Sequence, residues 1–112
     1  MAAKQTKSLL RIYLSSSDQD SNQPLYESIV DKANENELDG ATVLKGVLGY
    51  KAKKAEQHLD ISETKEKFPI VIEIVDNHDK LTSFFEKIKP KLEGMKKGCL
   101  ITLESLDILL YK

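Results

Sequence analysis

The residues best placed to do chemistry lie between Gly40 and Lys67. The stretch Gly40-Ala41-Thr42-Val43-Leu44-Lys45-Gly46-Val47-Leu48-Gly49-Tyr50 ends in a glycine-punctuated rim, and Lys51, Lys53 and Lys54 follow at once. Glycine permits close backbone approach to a ligand, and lysines beside a glycine turn suit phosphate or another anion. Each feature also has a plainer reading. Gly46 serves equally as a packing glycine beneath a neighbouring side chain, and a short lysine run serves as solvated surface. From Lys51 to Lys67 the chain is polar, with Leu59 and Ile61 as rare apolar points. A loop of that length without apolar rhythm is usually functional or disordered.

Other chemistries find less support. Glu56, His58 and Asp60 are the one candidate set for a divalent metal, and they make a sparse ligand cluster. The single cysteine, Cys99, lies in the apolar run Cys99-Leu100-Ile101 and reads as a small buried hydrophobe, with both histidines in other segments. No Gly-x-Ser-x-Gly, His-Glu-x-x-His, phosphate-loop or dinucleotide glycine pattern occurs, so the chain reads as a non-enzyme.

Composition narrows the class. With 112 residues, 40% hydrophobic and 31% charged, the chain suits one globular domain, 1–112, with a two-layer core. Within it, residues 1–7 read as a flexible N-terminus and 51–67 as a long loop between the second and third strands. A net charge of −1 gives no global attraction to nucleic acid or to an anionic membrane. One cysteine rules out an internal disulfide framework and suits a reducing compartment. The N-terminus lacks the apolar stretch of a secretory signal, and no run approaches a membrane span of about 18 apolar residues. These points place the protein in the cytoplasm.

The positioning elements follow from periodicity. Ser8 to Leu14 alternates as a strand. Pro24 opens a helix with Leu25, Tyr26, Ile29, Val30 and Ala33 on one face, ending near Asn36 to Leu38, with Gly40 supplying a positive backbone angle at the exit. Ala41 to Tyr50 reads as a strand with both faces covered. Phe68 to Asp76 is the clearest strand. Asp76 or Asn77 caps the next helix, whose stripe is Leu81, Phe84, Phe85, Ile88 and Leu92, and Pro90 ends or kinks it. A turn over Gly94-Met95-Lys96-Lys97-Gly98 leads to a strand at Cys99 to Leu103 and a short fifth strand at Leu106 to Tyr111.

That order predicts an α+β, ferredoxin-like βαββαβ fold with an extra C-terminal strand. Two helices lie on one face of an antiparallel sheet whose central strands are the first and third. The opposite face carries Arg11, Tyr13, Val71, Glu73 and Val75. Arg11 and Glu73 are expected side by side there as interface residues beneath a partner subunit, in preference to a solvated ion pair.

Laid out this way, the chain resembles the bacterial family called domain of unknown function 190. The resemblance rests on the Tyr-Leu-Ser end of the first strand, Pro24-Leu25-Tyr26-Glu27, Gly40-Ala41-Thr42-Val43-Leu44-Lys45-Gly46, Gly49-Tyr50 and Phe68-Pro69-Ile70-Val71-Ile72-Glu73-Ile74-Val75-Asp76. It runs from about Leu9 to Ile108. That family is similar in fold to the PII signalling proteins, trimers that bind nucleotides and small effectors in clefts between subunits. The resemblance implies a homotrimer taking a small anionic effector, an adenine nucleotide foremost. By topology its cleft residues are Gly46, Gly49, Tyr50 and Lys51, with Gly94, Lys96, Lys97 and Gly98. The glycines would give close approach, the lysines would meet negative charge, and Tyr50 would stack on a base. Lys51 stands where relatives often carry a glycine, and its side chain either narrows the pocket or adds a phosphate ligand. The resemblance also points to signalling through the 51–67 loop and to a membrane transporter or channel as partner. A divalent-metal-binding trimer of the cation-tolerance kind and a purely protein-interaction module are the alternatives.

Overall fold

The computed structural model describes residues 7–48, 67–95 and 97–112. Among these residues six strands and two helices follow in order: β1 (Lys7–Ser15), β2 (Gln19–Asp20), β3 (Gln23–Pro24), α1 (Leu25–Glu35), β4 (Thr42–Lys45), β5 (Pro69–Asn77), α2 (His78–Glu93) and β6 (Leu100–Leu106). The main sheet has the order β4-β5-β1-β6 and is antiparallel throughout. β1 and β5, each with alternating branched apolar residues, are the central pair, as expected, with Ile12 opposite Ile72 and Arg11 opposite Glu73.

One sheet face packs on the helices. Leu10, Ile12 and Leu14 from β1 and Ile70, Ile72 and Ile74 from β5 meet Leu25, Ile29 and Ala33 of α1 and Leu81, Phe84, Ile88 and Leu92 of α2. The spacing of three and four on each helix brings one stripe to the sheet, and burial of that stripe is the main stabilising term.

Several local expectations are corrected. The strand expected from Ala41 to Tyr50 stops at Lys45. Gly46 N–H still donates to Pro69 O at 2.7 Å, but Pro69 has no N–H to return the bond, so the ladder ends. Thr42, Leu44 and Lys45 are exposed and Val43 is half-buried, so the described residues do not cover this edge strand on both faces. The strand expected at Cys99 to Leu103 runs instead from Leu100 to Leu106, and Cys99 is half-buried against the core. No strand forms over 107–112: the last pair of the ladder is Leu106 with Lys7, the first described residue. The connection after β1 holds a small hairpin, β2 with β3, that composition did not reveal. Pro90 does not end α2. Ile88 and Leu92, both buried, hold the last turn on the core, and Gly94 N–H donates to Pro90 O at 3.1 Å.

The helix ends also differ. Asn77 occupies the N-cap position of α2 but makes no side-chain cap. At the exit of α1 the positive backbone angle falls on Glu37 (φ 59°), not Gly40. Leu38 N–H donates to Ala33 O and Glu37 N–H to Asn34 O, the two bonds of a Schellman-type closure. Lys7 opens β1, and the rest of the expected flexible N-terminus lies outside the described residues.

Candidate functional site

Both ends of the segment between β4 and β5 are held by short-range contacts. Lys45 closes β4, and its ammonium lies 3.8 Å from the centroid of the Phe68 ring. Phe68 is fixed in turn by Ser16: Phe68 N–H donates to Ser16 Oγ at 2.9 Å, and Ser16 N–H donates to Phe68 O at 2.8 Å. The Asp18 carboxylate accepts from Ser15 N–H at 2.8 Å and stiffens the turn that presents Ser16. Gly46 packs directly on Pro69, and a Cβ there would stand 2.6 Å from Pro69 Cγ. The packing reading of Gly46 therefore holds. The same contact brings its backbone to the sheet rim, beside Val47 and Leu48, which are 93% and 85% exposed.

The turn after α2 supplies the other expected half. Gly94 is the C-cap of α2 with φ −79°, an ordinary right-handed angle. Gly98 and Lys97 are exposed. Lys96, Gly49, Tyr50 and Lys51 lie outside the described residues, as do Glu56, His58 and Asp60. Register fixes where the two halves stand. Lys45 pairs with Ile70 and Ile70 with Leu14, while Tyr13 pairs with Leu100, so Cys99 and Gly98 reach the level of Leu14 and beyond. Gly46 and Gly98 thus lie at the same end of the sheet but on opposite edges. Three strand spacings, roughly 14 Å, separate them. A single chain does not bring Gly46 and Gly98 together.

On the open sheet face, the expected Arg11–Glu73 pair is present, with Nε to Oε2 at 2.9 Å. A second carboxylate joins it, since Arg11 Nη1 lies 2.8 Å from Glu104 Oε1. Glu104 escaped the sequence reading because it follows the expected end of its strand. Around this triad lie Leu9, Tyr13, Val71 and Val75, with Leu44 and Leu100 further out, 46% and 54% exposed.

At the opposite end of the sheet sits a polar cluster. Asp76 is 1% exposed and accepts from the N–H groups of Asp39 (2.9 Å) and Asn77 (2.6 Å), with Lys80 Nζ at 3.5 Å. Burial opposes its ionisation, yet the two backbone donors and then the Lys80 and Lys7 charges hold its pKa below the ordinary carboxylate value. Its place was legible: it continues the inward series Ile70, Ile72, Ile74. The Tyr111 hydroxyl donates to Asp39 at 3.0 Å and ties the C-terminal segment to this cluster. Asp20 accepts from Lys91 and from the Ser28 hydroxyl, and those bonds, the Lys91 one foremost, lower its pKa as well. A shallow cavity of about 260 Å³ lies between the segment that follows α1 and the first half of α2, bordered by Leu38, Lys80, Phe84 and Lys87. Among the described residues no three His, Cys, Asp or Glu side chains are placed to share a metal ion, and no helix is long and apolar enough to cross a membrane.

Comparison with known proteins places this geometry in context. Residues 7–108 match the model of the DUF190 family, described as an uncharacterized ACR. A UPF0166 protein of Aquifex aeolicus is 36% identical over 104 residues, covering 92% of this chain and 93% of that one. A UPF0166 protein of Methanocaldococcus jannaschii is 30% identical over 101 residues, covering 89% of each. Among solved structures, CPII from Thiomonas intermedia K12, bound to ADP, AMP and acetate, superposes with a TM-score of 0.63 at 13% identity, covering 93% of this chain and 89% of that one. A structure from Thermus thermophilus, described as a PII-like signaling protein, gives 0.60 at 11% identity, covering 91% and 88%.

Proposed function

Since the chain belongs to the DUF190 (UPF0166) family and carries the PII-like fold, we propose that it is a PII-like regulatory protein acting as a homotrimer. It binds a small anionic effector, an adenine nucleotide, in clefts between subunits, and it performs no chemistry of its own. One observation carries this reading. The Gly46 rim and the Gly94–Gly98 turn share one end of the sheet but occupy opposite edges. A cleft that uses both needs the β4 edge of one copy beside the β6 edge of the next. Gly46, Gly49, Tyr50 and Lys51 then face Gly94, Lys96, Lys97 and Gly98 of a neighbour. The ADP and AMP held by the Thiomonas CPII support the choice of ligand.

The open sheet face supports the trimer. Leu9, Tyr13, Val71 and Val75 form an apolar surface around Arg11, Glu73 and Glu104, and other copies of the chain cover it. Within the single domain 1–112, ligand contacts at the loop base favour one arrangement of the 51–67 loop, which signals to a partner in the cytoplasm. A membrane transporter or channel is the partner class we infer.

Native mass spectrometry of the purified protein, with and without ADP, tests the proposal. A trimer that takes up to three nucleotides is the expected result. A trimer that takes none removes the nucleotide and leaves the assembly, and a monomer overturns the shared cleft.

A further inference from the structure

Lys45 stands on the β4 side of the cleft, and an aromatic ring rather than a carboxylate holds its ammonium. Lys7, Lys80, Lys89 and Lys91 each lie within 4 Å of a carboxylate. Among the described residues no carboxylate does this for Lys45, whose ammonium sits instead over the Phe68 ring at 3.8 Å. A ring face attracts a cation through its quadrupole but neutralises none of its charge. The ammonium therefore keeps its donors for an incoming anion, and a charge-assisted bond to a phosphate oxygen is the stronger interaction.

The backbone beneath both partners is held before any ligand arrives. Phe68 has its N–H and its carbonyl engaged by Ser16. The backbone next to Lys45 is pinned by the Gly46–Pro69 bond and by the Gly46 contact with the proline ring. Little ordering remains to be done on binding, which is the condition under which a flexible lysine contributes most. The group is also at the right place: the last residue of the exposed edge strand, level with the turn on the far edge that a neighbouring copy would bring.

We propose that Lys45 contacts the phosphate of a nucleotide in the inter-subunit cleft, and that Phe68 keeps its ammonium in position in the unliganded protein. The inference rests on the cleft reading above and assigns it a specific phosphate contact. Calorimetric titration of the full chain with ADP, adenosine and inorganic pyrophosphate tests it, using the wild type, Lys45→Met, Lys45→Arg and Phe68→Leu. Lys45→Met is expected to weaken ADP and pyrophosphate binding about tenfold or more while leaving adenosine unchanged, as loss of a charged hydrogen bond predicts. Lys45→Arg is expected to restore most of the ADP affinity, and Phe68→Leu to give a smaller loss confined to ADP and pyrophosphate. Equal ADP affinity in wild type and Lys45→Met overturns the role of Lys45 and leaves the cleft standing. Equal losses for ADP and adenosine reduce Lys45 to a structural residue. A wild type that binds none of the three ligands overturns the cleft reading and this inference together.

Discussion

Glu37 and Gly46 show how single backbone positions constrain this fold. Glu37 adopts φ 59° to close α1, a conformation that costs a residue with a Cβ about 1–2 kcal/mol. Its side chain takes no part in the closure, which uses the N–H groups of Glu37 and Leu38. Glu37→Gly is therefore expected to stabilise the protein by about 0.5–1 kcal/mol, after the added freedom of glycine in the unfolded chain is subtracted. The midpoint of urea unfolding measures this, and a lower midpoint contradicts the assignment. Gly46 is the reverse case. A methyl group 2.6 Å from Pro69 Cγ forces the edge strand away, so Gly46→Ala should cost about 1–3 kcal/mol. Gly94→Ala is the control: its Cβ would meet Pro90 O at 3.4 Å with an ordinary φ, and the same measurement should move by less than about 0.5 kcal/mol.

Strand β5 and the polar cluster at its end connect packing to pH dependence. β5 delivers Asp76 into the interior by strict alternation, and the cluster compensates its burial with two backbone donors and Lys80. The folded pKa is below the unfolded one, so the unfolded chain binds the proton more readily. The resulting stability is fully present above the unfolded pKa of about 3.9 and is lost as pH falls through the folded value. Asp20, depressed mainly by Lys91, adds a change of the same sign. Asp76→Asn should flatten the acid limb of a stability–pH curve. It should also lower stability at neutral pH by about 1–3 kcal/mol, because the amide cannot serve the Asp39 and Asn77 donors as a carboxylate does. An acid limb identical to wild type would show that other carboxylates set it.

In the proposed trimer the open sheet face has a use. In a lone subunit, Leu44, Leu100 and Tyr13 remain 46%, 54% and 37% exposed on a face with a three-membered charge cluster. Arg11 is already shared by two carboxylates of its own chain, so a neighbour need not complete it. In the proposed trimer the cluster would fix orientation, and the surrounding apolar area would supply the attraction. Val71→Lys places a charge in the centre of that area and should shift the species seen by sedimentation velocity from trimer to monomer. A trimer that persists in Val71→Lys places the subunit contact elsewhere.

Much of the architecture is legible because the sheet and helices obey simple periods. Alternation in 8–14 and 68–76 and the three–four spacing in 25–33 and 81–92 suffice for two helices on one face of an antiparallel sheet, with Arg11 beside Glu73. The family is legible too, because its glycine and isoleucine-rich blocks are long. Where β4, β6 and α2 stop was not legible. β4 ends because the residue opposite Gly46 is a proline, β6 runs on to Leu106 because it pairs with β1 as far as Lys7, and α2 survives Pro90 because Leu92 is buried beneath it. Each of these depends on a partner distant in the chain. The Lys45–Phe68 contact and the separation of Gly46 from Gly98 across the sheet likewise follow from strand order. Local periodicity specifies which face of an element is apolar, whereas the residue that meets it across the sheet is fixed only when the strands pair.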